Sequence, residues 1–136
     1  MTTSSESLPR HRRAWLALGW VMVLGIGAGS LWPSLPQAAA GVSDKFMHFT
    51  AYAGLGFVFA GALERARWPW LALALLGFGA AIELAQAWLS PTRTGEWLDM
   101  AANAAGVAAG IGLVAAWPGN WCRQLERVAG LEGGSR

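Results

Sequence analysis

The sequence is short of cysteine and of charge. Cys122 is the single cysteine in 136 residues. It has no partner for an internal disulfide and none for a cysteine-based metal motif, so it reads as a passive thiol at a helix end. Only 13% of the residues are charged, about half the share of an ordinary soluble domain. No alternating apolar–polar run marks the strands of a membrane barrel. No serine or cysteine nucleophile motif is present, and no His-Glu-x-x-His pair that would hold a metal. A nucleic-acid partner is not needed to explain the net charge of +2, because the positions of the basic residues account for it.

What is present is apolar. Hydrophobic residues make up 54% of the chain, with nine Trp and eighteen Gly, and the mean hydropathy is +0.37. This is a membrane composition on a chain one domain long. Residues 1–13 are polar, end in Arg10, His11, Arg12 and Arg13, and read as a disordered basic tail. Four apolar stretches follow, at 14–32, 46–63, 68–89 and 98–117. Each is near the ~17–25 residues that cross a bilayer as a helix, and without a barrel only helices satisfy the backbone in lipid. The expected fold is all-α: an integral membrane four-helix bundle over residues 14–117, followed by a short cytoplasmic tail over 118–136 that begins as an amphipathic helix. The basic start, the apolar run and Gln37-Ala38-Ala39-Ala40 also resemble a cleavable leader. The run is long for that purpose and glycines interrupt it, and Arg12-Arg13 is weaker still as a twin-arginine signal.

Basic residues fix the expected orientation. With four spans, one side holds Arg10, Arg12, Arg13, Arg65, Arg67, Arg123, Arg127 and Arg136, and the other holds Lys45 and Arg93. Both termini are therefore expected in the cytoplasm of a bacterial-type inner membrane. Trp15, Trp68, Trp70, Trp117 and Trp121 then fall at inner span ends, and Trp32, Trp88 and Trp97 at outer ends.

In this setting the polar residues of the spans converge. Asp44, His48 and Tyr52 are spaced i, i+4, i+8, one stripe of a helix, with His48 about 6 Å and Tyr52 about 12 Å below Asp44 at helical rise. Lys45 stands beside them. The third span adds Glu83 and Gln86, one turn apart, and Glu83 lies roughly 10 Å below the outer surface. A carboxylate at such depth costs about 2.5–3.5 kcal/mol on insertion scales unless it is partnered or wetted. The fourth span carries Asp99, Asn103, Gly106 and Gly110 on one narrow stripe, and the loop before it carries Arg93 and Glu96. Three helices and one loop thus contribute to a polar pocket open to the outside, with its floor near Tyr52, Glu83 and Asn103.

Together these residues resemble the VanZ-like family of membrane proteins. The carrying motifs are Asp44-Lys45-x-x-His48-Phe49-x-x-Tyr52-x-x-Leu55-Gly56, Glu83-x-x-Gln86, Arg93, and Asp99-x-x-x-Asn103-x-x-Gly106. Their order covers residues 44–110. The resemblance implies a compact four-helix plan and a link to the cell envelope, since the family is named for a protein associated with glycopeptide (teicoplanin) resistance. The family name does not make this chain a resistance protein.

Each residue also has a plainer reading. Asp44 and Asp99 suit helix starts. His48 suits a structural bond to a neighbouring helix, and Glu83 with Gln86 suits interhelical hydrogen bonding, worth about 0.6 kcal/mol on average in membranes. Tyr52 suits plain packing, Arg93 suits a lipid-headgroup anchor, and Glu96 suits a solvated loop. Gly25-x-x-x-Gly29 and Gly106-x-x-x-Gly110 are expected helix contacts, and such faces also allow an oligomer. The plainer readings do not explain why the polar residues gather at one depth. The expected function is binding of an anionic or lipid-linked amphiphile, with Lys45, Tyr52, Gln86, Arg93 and Asn103 as ligand-binding residues. The alternative is a hydrolase or transferase acting on a lipid headgroup, with His48 as acid/base or nucleophile and Asp44, Glu83 and Asp99 beside it. A proton-coupled transporter or flippase is a further reading, but nothing titratable continues along the inner half. No cofactor is expected. Asp44, His48, Glu83 and Asp99 are acceptable ligands for a divalent metal, without a recognisable metal motif.

Overall fold

The computed structural model describes residues 8–32, 44–89 and 97–131. Arg93 and Glu96 lie outside the described residues, as do the connector at 33–43 with its two prolines and the last five residues. Among the described residues there is no strand. The helices are α1 (Arg12–Leu31), α2 (Asp44–Ala62), α3 (Trp68–Leu89), α4 (Trp97–Ala116) and the short α5 (Trp121–Val128). A single 3-10 turn, Arg65–Arg67, leads into α3, where Pro69 sits in the first turn, the place in a helix that tolerates proline.

Among the described residues, three helices are long and apolar enough to cross a membrane: α1, α3 with its leading turn, and α4. Their outward residues are large and apolar, as lipid requires: Leu24 of α1 is 70% exposed and Leu84 of α3 is 65% exposed. The expected fourth span, α2, is not among them. Lys45, His48, Thr50 and Tyr52 in its first half lower its hydropathy. Its position offsets this, because α2 is the central helix: it packs on α1, α3 and most extensively on α4, and its second half is almost wholly buried.

Small residues set these contacts. The helices α2 and α4 run parallel. A Cβ at Gly106 would strike the carbonyl oxygen of Phe49, and one at Gly110 that of Ala53, while Gly56 of α2 faces the backbone of Val107 in return. The expected Gly106/Gly110 contact is thus the α2–α4 seam. The expected Gly25/Gly29 contact does not form within the chain, since a Cβ at either position would meet nothing within 4 Å. In α1 the contacting glycines are instead Gly19, under the ring of Phe59, and Gly27, beside Phe78. Helix α1 is apolar around its whole circumference, so its sequence does not say which face turns inward.

At the Ala62 end the bundle is closed by polar side chains. The last carbonyls of α2 would otherwise lack partners. Trp68 Nε1 donates to Ala60 O (3.1 Å), Asn120 Nδ2 to Gly61 O (2.9 Å) and Arg12 Nε to Ala62 O (3.0 Å). Asn120 also caps α5 by accepting from the Arg123 N–H at 3.2 Å. Replacing Asn120 with alanine is expected to cost about 1–2 kcal/mol, read as a lowered unfolding midpoint in detergent.

Buried between α5 and α1 is Glu126, 1% exposed. Its carboxylate accepts from the backbone N–H of Arg10 (2.8 Å) and of His11 (2.9 Å) and from the Trp15 indole (2.9 Å). It therefore caps the start of α1 from more than a hundred residues away. Burial pushes its pKa up, but the bonds from His11, Trp15 and Arg10 and the nearby His11 ring outweigh burial and hold it below the ordinary carboxyl value. Cys122, one turn earlier on the same face, is fully buried, and burial followed by the Glu126 charge raises its thiol to about 12. The passive reading of this thiol follows from that shift.

Candidate functional site

The opposite end of the bundle holds the starts of α2 and α4, and there the sequence motifs meet. Because the two helices are parallel and in close contact, their first turns lie side by side. Asp44 and Asp99 occupy those first turns, where the positive ends of both helix dipoles favour ionised carboxylates. Lys45 Nζ reaches Asp99 Oδ1 at 3.5 Å. One turn deeper, His48 Nδ1 lies 3.1 Å from Asn103 Oδ1, and its Nε2 lies 4.0 Å from Asp44 Oδ2. Asp99 is 6% exposed and Asn103 only 1%.

The floor is built at Gly79 of α3. A Cβ there would meet both Asn103 Nδ2 and the Tyr52 hydroxyl, so glycine lets three helices bring polar atoms to one point. The Tyr52 hydroxyl is buried and makes no hydrogen bond within the protein. Glu83 stands one turn along α3 from Gly79 and is 9% exposed. Asp44, Lys45, His48, Tyr52, Glu83, Asp99 and Asn103 therefore belong to one contiguous polar region. Gln86 is placed differently: its Nε2 donates to Ser30 O at 2.8 Å, which ties α3 to the last turn of α1.

A family model described as VanZ/LLP1 matches residues 8–118, which is most of the chain. The chain belongs to the VanZ/LLP1 family. No curated protein and no solved structure matches it. The VanZ/LLP1 match includes α1 through α4, and so every helix that carries the polar region, while leaving out α5 with its Glu126 cap.

Two features of this VanZ/LLP1 chain were not found from sequence. The role of Gly79 is invisible without knowing which residues face it. The Glu126 cap had one faint signal, Cys122 and Glu126 at i, i+4 in a short amphipathic helix. An apolar groove of about 700 Å³ also opens between α1, α2 and α3, lined by Trp20, Phe59, Leu71 and Phe78 with Arg67 at its rim. Tyr52, packed on Phe78 and 2% exposed, stands between this groove and the polar region, so the two are separate.

Proposed function

We propose that the polar region binds the headgroup of an anionic or lipid-linked amphiphile of the cell envelope, on the outer side of a bacterial-type inner membrane. In this reading α2 spans the bilayer with the other three long helices, and both termini are cytoplasmic. The carrying observation is the Lys45–Asp99 ion pair, one partner nine-tenths buried, set beside the His48–Asn103 bond at the head of the α2–α4 seam. Structural needs alone do not call for a charged pair there, because breaking or burying such a pair is costly. Lys45 is 42% exposed and can turn from Asp99 to a phosphate or carboxylate. Arg93, a few residues before α4 in the sequence, would add a bidentate donor. Membership of a family named for glycopeptide resistance supports an envelope ligand.

Lipid mass spectrometry on detergent-purified protein tests this directly. The wild type is expected to carry a defined anionic lipid, and a Lys45→Ala/Arg93→Ala double variant is expected to lose it. Retention of the same lipid by the double variant ends the reading. A second reading, turnover of the headgroup, has its own support: His48 lies between Asp44 and Asn103, the base-plus-orienter pattern. It requires that His48→Ala retain the lipid while releasing no product.

A further inference from the structure

We propose that Asp44, His48 and Asp99 form a binding site for a first-row divalent cation such as Mn²⁺ or Zn²⁺. One ligand atom from each residue lies within 4.8 Å of the other two. The histidine is set up for this role. Its Nδ1 lies 3.1 Å from Asn103 Oδ1, and an amide oxygen only accepts, so Nδ1 carries a proton; in the neutral ring Nε2 is then the nitrogen with a lone pair for a metal. Nε2 lies 4.0 Å from Asp44 Oδ2, too far for a hydrogen bond. A neutral imidazole nitrogen and a carboxylate oxygen at that separation can both bind one cation set between them.

Asn103 is then a positioning residue, fixing ring and tautomer as partners of metal-bound histidines do. Asp99 supplies the independent observation. It is nine-tenths buried, and its Oδ1 accepts no hydrogen bond. Lys45 Nζ, at 3.5 Å, is beyond the ~2.7–2.9 Å of a charge-assisted bond. One imidazole and two carboxylates suit Mn²⁺ or Zn²⁺ better than a soft metal. Bonds of about 2.1 Å require the ligand atoms to draw in by roughly 1 Å, which Asp44, at the exposed start of α2, reaches by a rotamer change.

The charge balance explains what such a cation would do. Asp44, Glu83 and Asp99 face the single lysine Lys45 among the described residues at this end. A divalent cation there would add positive charge beside Lys45 and offer open positions to phosphate or carboxylate oxygens. This bridging role rests on the amphiphile reading; the cation site itself does not.

The test is titration of Mn²⁺ into tag-free, detergent-purified full-length protein, with free Mn²⁺ counted by electron paramagnetic resonance. One Mn²⁺ per chain is expected, with a nitrogen coupling from imidazole in the pulsed spectrum. Asp44→Asn and His48→Gln should each weaken binding at least tenfold, and His48→Gln should remove the coupling. Lys45→Gln removes the competing ammonium and should tighten binding severalfold, an effect no misfolded variant produces. Absence of stoichiometric binding, absence of the nitrogen coupling, or affinity unchanged in both Asp44→Asn and His48→Gln overturns the site. Lipid retained after chelation overturns the bridging role and leaves the amphiphile reading intact. Bound Mn²⁺ without lipid upholds the cation site and removes that reading instead.

Discussion

Leucine in place of Gly106 is expected to leave little folded protein. The α2–α4 seam is the most extensive helix contact in the chain, and a Cβ at Gly106 would meet the Phe49 carbonyl and the Ala53 amide, both backbone groups. Backbone cannot swing away as a long side chain can. Overpacking in a core ordinarily costs ~1–3 kcal/mol, and a collision with helical backbone belongs at or above the top of that range. The helices must separate, which pulls Asp99 from Lys45 and Asn103 from His48. The expected readout is aggregation on size-exclusion chromatography, or a midpoint lowered by on the order of 10 °C. Gly25→Leu is the control: its Cβ has open space, so the monomer's stability should hardly change.

A second large effect is expected at Glu126, where glutamine would present an amide to the two backbone N–H groups and the Trp15 indole now bound by a carboxylate. Hydrogen bonds to charged groups are worth about 1.5–3 kcal/mol each, and a buried donor left without a partner carries a similar penalty. Because the three act as one unit, the expected loss is about 3–5 kcal/mol rather than their sum. Its pH dependence has a definite sign. Glu126 titrates below the ordinary carboxyl value in the folded chain. Its contribution is therefore present above the unfolded pKa, about 4.3, and fades as pH falls through the lower folded value. The gap between wild type and Glu126→Gln should be present at neutral pH and close only in acid stronger than the ordinary carboxyl range.

How much of this was written in the sequence depends on the distance over which each feature acts. The stripe Asp44, His48, Tyr52 needs only helical periodicity, and the Asp99, Asn103, Gly106, Gly110 stripe likewise. Both are helical in the structure, and their facing is the α2–α4 seam. The all-helical class followed from composition. By contrast, the rotation of α1 was not legible, because a helix apolar on every side gives no cue between Gly25/Gly29 and Gly19/Gly27. The hydropathy of α2 reflects its central position, where neighbouring helices take the place of lipid. Gln86 was expected at the polar region, but its side-chain amide bonds the Ser30 carbonyl of α1 instead. The bond from Glu126 to the start of α1 joins the two ends of the chain, and no local pattern encodes such a contact.

The spatial claim beneath the functional reading is that the heads of α2 and α4 lie together, so that Lys45, His48, Asp99 and Asn103 share one site. Thiol cross-linking in native membranes tests it most directly. In a Cys122→Ser background, Lys45→Cys paired with Asp99→Cys should be joined within a single chain, rapidly and in high yield, by a short bifunctional thiol reagent. Lys45→Cys paired with Val114→Cys, at the far end of α4, should not. Equal yields for the two pairs, or no link between positions 45 and 99, would contradict the account.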